Sequence, residues 1–315
     1  MKSLVIAAAL IALTVGYASY SSYSDHQFEA GFNNFITTYN KNYGSVEEYS
    51  FRLETYKNNL MKIQKLNSLN PNAHFEINQF GDFTEEETKN LMGFNGQQIS
   101  TVDHISAFGV APVDWSSMWK KTKNQGICGA SWAFSSTAVF EARHALKNLY
   151  KTVQTYYSEQ ELIDCAQTKE SRGCSGGTIV DAYEFLNHHQ FCSEDIYPFK
   201  GVDDTWKVEL CKAGPNTSGR KDITAGDENA VLAELANGPI TVVVDATTWI
   251  FYKSGIISDC DNQLNHIVTL TKTDGESFVQ LRNSWGSSWG ENGSVRLKIN
   301  GNTCGYANIA SVPIF

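Results

Sequence analysis

Residues 125–135 read QGICGASWAFS, and the small residues at their start lead into an apolar series running from Trp132 through Phe134, Val139 and Phe140 to Ala145. Such a series reads as a buried helix, so one small polar side chain, Ser131, stands where that helix begins. A nucleophile gains there, because the positive end of the helix dipole favours an anion. The segment therefore raises the question of whether the Ser131 hydroxyl can act as a nucleophile. A hydroxyl can serve as a nucleophile only if a base takes its proton and a third group orients that base. Far downstream lie His266 in NHIV and Asn283 at the head of NSWGSSWGENG. Taken singly, a His in an apolar strand is a packed residue, and an Asn before Ser-Trp-Gly is a turn former.

The elements that must position these residues come from the rest of the chain. Its 315 residues, 42% hydrophobic, suffice for one large or two modest domains with a sizeable core. A formal charge of −9 with 25 Lys+Arg sets nucleic acid aside as a partner, since phosphate binding needs clustered cations. The N-terminal MKSLVIAAALIALTVGYAS reads as a signal peptide over residues 1–18, its apolar run shorter than the ~20 residues that span a bilayer. No later segment is apolar enough to span, so no membrane attachment is expected. Seven cysteines in an exported chain imply disulfides with at least one thiol left over, and the count alone leaves the pairing open. Asn216 in NTS and Asn292 in NGS match the glycan-acceptor pattern.

Phe28, Phe32, Phe35 and Tyr39, then Tyr49, Leu53, Tyr56, Leu60 and Ile63, recur with helical spacing and predict two amphipathic helices. Residues 96–111 lose that period and read as a linker. Further helical patterning surrounds Glu159–Asp164 and Ile179–Leu186. After about residue 219 strands dominate: PITVVVD (239–245), NHIVTLT (265–271), SFVQLRN (277–283) and GSVRLKI (293–299). The expected division is a helical block with linker over 19–107 and a main domain over 108–315. A helical half (113–218) followed by a strand-rich half (219–315) predicts an α+β domain with a ligand-binding cleft between them.

Cys128-Gly129-Ala130-Ser131-Trp132 fits the nucleophile run of the papain and cathepsin peptidases at every position except the nucleophile. His266 and Asn283 follow at separations close to the ~130–150 residues of that group. Glu48, Arg52, Asn59, Ile63 and Asn67 fit its ERFNIN proregion helix, with Tyr56 for the usual Phe, and Asn78, Phe80 and Asp82 fit the motif after it. On these residues the chain resembles the papain-like cysteine peptidases, within them the cathepsin L-like group, over nearly everything after the signal peptide.

The resemblance implies a papain-like α+β fold, with a helical and a β-barrel-like subdomain flanking the active-site cleft. It implies a preproprotein whose inhibitory proregion lies along the cleft until it is removed near residues 105–111. His266 would be base and acid, Asn283 its orienting partner, Gln125 an oxyanion donor beside the backbone N–H of Ser131, and Trp285 a shield over the His–Asn contact. Gly176 and Gly177 would approach an extended peptide, and Thr178, Ile179, Val243, Leu264 and Ile309 would line an apolar pocket for the second residue before the scissile bond. The implied disulfides are Cys128–Cys174, Cys165–Cys211 and Cys260–Cys304, leaving Cys192 over. No metal or cofactor is expected. Expected partners are a peptide or protein ligand in the cleft, the chain's own proregion and cystatin-like inhibitors. The chain is expected to be a monomer of the secretory pathway, extracellular or lysosomal/vacuolar.

In that family the nucleophilic thiol rests ionised beside its His. A serine hydroxyl stays protonated, so peptidase activity is expected to be lost or strongly reduced, leaving a cleft that binds. One alternative is a Ser-His-Asn hydrolase or a condensing enzyme like the silicateins, whose Gly-Ala-Ser run the chain shares, although Trp132 replaces their Tyr and no Ser-rich tract lies near His266. Another is a cysteine endopeptidase whose nucleophile has been replaced.

Overall fold

The computed structural model describes residues 25–98, 104–107, 109–205, 211, 214–260 and 263–315. The leader read over residues 1–18 lies outside them. Among the described residues no helix is long and apolar enough to cross a membrane.

The N-terminal block follows its aromatic spacing. Helix α1 (Asp25–Thr38) and helix α2 (Val46–Leu69) pack through Phe32, whose ring lies within 5.9 Å of Phe35, Tyr43, Tyr49 and Tyr56. Ser45 caps α2 by accepting the N–H of Glu48, and the Glu48 carboxylate in turn accepts the N–H of Gly44 at 2.7 Å. Arg52 therefore does not depend on Glu48 one turn away. Its guanidinium forks onto Glu87 at 2.6 and 2.7 Å, a bidentate pairing stronger than an exposed i, i+4 pair. Glu87 belongs to α3 (Glu85–Lys89). Asn59 donates to the carbonyls of Gly81 and Phe83, and Asn67 exchanges two bonds with Phe75 in β1 (Ala73–Phe75). The polar residues of the helix motif thus tie α2 to the chain that follows it.

The helical half is built on α4 (Ser131–Lys147), whose Trp132, Ala133, Val139, Phe140 and Ala142 are fully buried. Around it lie α5 (Glu159–Cys165) and α6 (Ile179–His188), capped by Ser158 and Thr178. The other half is a sheet of β2 (Val113–Asp114), β3 (Gly219–Asp222), β4 (Ile240–Val244), β5 (Tyr252–Ile257), β6 (His266–Thr273), β7 (Phe278–Arg282), β8 (Ser294–Lys298) and β9 (Ala310–Ile314), with α7 (Glu228–Leu235) against it. Its order is β1-β5-β8-β7-β6-β4-β9-β3, with β2 on β6, and every pairing is antiparallel except β5–β8. Through β1 the N-terminal block extends this sheet. Val243, Leu264 and Ile267 come from the strand side but pack in the core of the helical half, so the two halves share one interface. That interface sets Ser131, the first residue of α4, opposite His266, the first residue of β6.

Two disulfides match expectation, Cys128–Cys174 and Cys260–Cys304. The third corrects it: Cys192, expected to be left over, joins Cys211 in place of Cys165. Backbone contacts explain the change. The N–H of buried Phe191 donates to the Pro215 carbonyl at 2.9 Å, which brings the neighbouring Cys192 close to the chain around Pro215, and the N–H of Cys192 donates to Glu161. Cys165 sits instead on the last turn of α5. Peptide mapping without reduction should recover Cys192 linked to Cys211; a Cys165–Cys211 peptide would restore the original expectation.

Candidate active site

The site is assembled from opposite walls of the cleft. Ser131 opens a 17-residue helix and is fully buried, and the preceding turn is clamped by the Cys128–Cys174 bridge and by the Gly129 N–H donating to the Cys174 carbonyl at 2.8 Å. Its Oγ accepts the N–H of Ile267 at 3.2 Å. Across from it, Nε2 of His266 donates to Oδ1 of Asn283 at 2.8 Å, and the N–H of Ser284 donates to the same oxygen at 2.8 Å. An amide oxygen only accepts, so the ring proton is on Nε2 and the Nδ1 lone pair is left open. Buried Nδ1 has no hydrogen-bond partner among the described residues. Burial lowers the His266 pKa from its ordinary 6.5 to about 4, against the opposing pull of the Asn283 bond. The imidazole is therefore a neutral base at pH 7. Fully buried Trp285 lies over it, ring centroids 4.9 Å apart.

Gln125 is also fully buried, and its orientation is set by Ser284, whose hydroxyl donates to Oε1 at 2.5 Å. Its Nε2 donates to the carbonyls of Cys128 and Leu91 at 2.7 and 2.9 Å. Leu91 belongs to the N-terminal block, so a carbonyl of that block occupies the Gln125 amide donor.

The segment around Leu91 fills the cleft. The Gly93 carbonyl accepts the Gly177 N–H at 3.0 Å, the Asn95 N–H donates back to the Gly177 carbonyl at 3.2 Å, and the Phe94 N–H donates to the Asn265 carbonyl at 3.1 Å. A Cβ on Gly93 would meet Ser131 Oγ at 2.4 Å and the Gly129 carbonyl at 2.6 Å, so only glycine lets the backbone pass over Ser131. Gly177 is held to glycine by the Trp132 ring, which an added Cβ would meet at 2.5 Å. Gly176, with φ +100°, makes the turn before it and lies against the Asn95 side chain. Ile179, Val243, Leu264 and Ile309 come together in one apolar cluster with Phe94 packed against it, and Gln98 donates to the Leu264 carbonyl. Thr178 is placed beside them with its hydroxyl committed to the Asp181 N–H as the cap of α6. Sequence reasoning missed Leu91, Gly93, Asn95, Asn265 and Ser284; the glycine between Met92 and Phe94 is the one local signal that pointed to a close backbone approach.

Contacts on both sides hold this segment in place. Upstream, Asn78 donates to the Ile250 carbonyl at 2.7 Å and Phe80 meets Trp285 edge to face, while Asp82 binds Lys41 and Tyr43. Downstream, His104 Nε2 lies 2.8 Å from the buried Glu228 carboxylate. The Ile105 N–H and carbonyl bond Gly226 and Glu228, and Asn229 donates to the Ser106 carbonyl at 2.6 Å. Ala107 is buried, whereas Gly109, Ala111 and Pro112 are exposed, which narrows the accessible part of the expected processing stretch. His104→Ala should speed limited proteolysis of residues 105–112 several-fold in the full chain; an unchanged cleavage rate would place the restraint elsewhere.

The buried imidazole gives the closed form a pH dependence. Because the folded pKa of His266 is depressed, its contribution is complete above pH 6.5 and is lost as pH falls through about 4. Thermal unfolding of the full chain should therefore weaken from pH 7 to pH 4 more steeply in wild type than in His266→Gln. Parallel curves for the two proteins would show that His266 is not the group responsible.

Comparison with known proteins places this arrangement. Residues 110–314 match the papain family cysteine protease domain, and residues 32–88 match the cathepsin propeptide inhibitor domain. The chain is similar to Cathepsin L 2 of Paramecium tetraurelia, 32% identical over 291 residues that cover 89% of this chain and 91% of the relative. It is similar to Pro-cathepsin H of Mus musculus, 32% identical over 302 residues and 90% of each chain. Among solved structures, the digestive procathepsin L 3 of Tenebrio molitor larval midgut aligns with a TM-score of 0.78 at 33% identity, over 91% of this chain and 99% of that one.

Proposed function

Because the chain belongs to the papain family of cysteine proteases, in its cathepsin L-like group and with a propeptide inhibitor domain of its own, we propose that it is a proform whose cleft binds extended peptides but whose Ser131 hydrolyses them little or not at all. The observation that carries this reading is the hydroxyl itself. Ser131 Oγ accepts the Ile267 N–H, and the Nδ1 of His266 that should take its proton has no partner among the described residues. An un-ionised hydroxyl attacks only when base and oxygen are placed for each other. The rest of the frame, Gln125, His266, Asn283 and the glycine-lined wall, supports continued binding.

The ligand is a peptide or protein segment that replaces residues 91–95, with an apolar side chain in the place of Phe94 among Ile179, Val243, Leu264 and Ile309. A cystatin-like inhibitor would enter the same cleft. The chain acts as a monomer in the secretory pathway, extracellular or lysosomal/vacuolar, and exposure of both glycan-acceptor candidates, Asn216 and Asn292, supports export. One feature favours a second reading, a slow Ser-His-Asn hydrolase or condensing enzyme: the Nδ1 lone pair of His266 is open to a hydroxyl that turns toward it after the proregion leaves. The test is binding and turnover of one peptide, apolar at its second position, measured side by side on the processed protein. Binding without turnover supports the proposal, and turnover comparable to that of Ser131→Cys overturns it.

A further inference from the structure

We propose that the wall behind Asn283 is a water-binding site, and that the water it holds, anchored by Glu159, positions the Asn283 amide and through it the His266 ring. Three buried polar atoms have no hydrogen-bond partner among the described residues and belong to residues that line the same narrow cavity: Asn283 Nδ2, Trp119 Nε1 and Glu159 Oε2. The cavity offers about 20 Å³ to the centre of a water-sized sphere. One water needs ~10–15 Å³ on that measure, and two to four polar partners.

The donor set selects the occupant. The amide and indole nitrogens only donate and the carboxylate only accepts, whereas a water accepts two hydrogens and donates two. A cation would face two N–H groups with Lys123 and Arg282 on the same walls, and an anion would face Glu159. Glu159 keeps an oxygen for this role because its other one, Oε1, is held by Lys123 Nζ at 2.7 Å. Glu141 lines the cavity too, with its Oε1 taken by the Tyr157 N–H.

The consequence lies in the amide's orientation. Turned over, Asn283 would set Nδ2 against His266 Nε2 and the Ser284 N–H, and the ring proton would move to Nδ1, the nitrogen that must accept the nucleophile's proton. An acceptor-backed water behind Nδ2 opposes that turnover. Glu159 touches neither nucleophile nor ligand and is a positioning residue. The inference concerns the resting geometry and holds whatever Ser131 does to a peptide.

A high-resolution crystal structure of the full-length proform tests the site. It should show a solvent peak within hydrogen-bonding distance of Asn283 Nδ2, Trp119 Nε1 and the Glu159 carboxylate; no peak, or one that does not reach Asn283, overturns the proposal. The positioning role is tested by Glu159→Gln and, because that change also disturbs a buried ion pair and can impair folding, by Trp119→Phe, which removes one donor and no charge. Nitrogen-15 NMR should find the His266 Nε2–H exchanging about tenfold faster in either folded variant, with exchange of the β6 backbone amides unchanged. Unaltered Nε2–H exchange in the folded variants, or acceleration shared by all of β6, overturns the positioning role.

Discussion

Ser131→Cys is expected to convert the processed chain into a thiol peptidase that cleaves after an apolar second-position residue, at a rate at least ~10³-fold above the serine form, a gap of about 4 kcal/mol in barrier. On the proposed reading, a sulfur is the one part missing. Residue 131 heads α4, where the helix dipole and a neighbouring imidazole lower a thiol's pKa and stabilise a thiolate. The open Nδ1 of His266 faces no competing hydrogen bond among the described residues, and Gln125 Nε2 becomes available once the Leu91 carbonyl departs. The His266 pKa of about 4 reflects the sealed proform, where an imidazolium is disfavoured, so activity should appear only after the proregion is removed. A thiol alkylator should abolish it. A folded, processed cysteine form that stays inert would show that changes beyond residue 131 have disabled the cleft.

Gly93→Leu is expected to drive the proregion out of the cleft of the full chain. The added side chain has nowhere to go, since its first carbon would already lie 2.4 Å from Ser131 Oγ and 2.6 Å from the Gly129 carbonyl. The wall cannot retreat easily, because Gly129 follows Cys128 of the Cys128–Cys174 bridge and is bonded to the Cys174 carbonyl. Overpacking of this kind costs about 1–3 kcal/mol. That cost acts against the bonds to Gly177, Asn265 and Gln125 that keep the segment in place, each contributing ~1 kcal/mol. A loss of about 3 kcal/mol corresponds to roughly a hundredfold greater exposure of the cleft. Calorimetric binding of an apolar peptide to unprocessed protein should be undetectable in wild type and measurable in Gly93→Leu. Equal exclusion by both proteins would mean that residues 91–95 are not what closes the cleft.

What could be read before the structure was whatever a local period or a motif encodes. The aromatic rows of α1 and α2 and the β-branched runs of β4, β6, β7 and β8 carried their own signal, Ser131, His266 and Asn283 stood in recognisable spacing, and Gln125 came from the family resemblance. Strands β3, β5 and β9 were not legible because GRKD is wholly polar, YKSGII carries Gly255 and ASVPI carries Pro313. Each forms because neighbouring strands offer it hydrogen bonds. The Cys192–Cys211 pairing depends on where Phe191 is buried, and the Arg52–Glu87 fork on how α3 folds back on α2. Neither relation exists in one dimension. The same holds for Gly93, whose meaning comes from the Ser131 hydroxyl it passes over.

The most direct test of the central claim is intact-mass analysis of the processed serine protein after incubation with a peptide ester carrying an apolar second-position residue, alongside measurement of its binding. The expected result is a reversible complex with unchanged protein mass and no product above the uncatalysed rate. An acyl adduct that maps to Ser131, or product formed at a rate approaching that of Ser131→Cys, would contradict it.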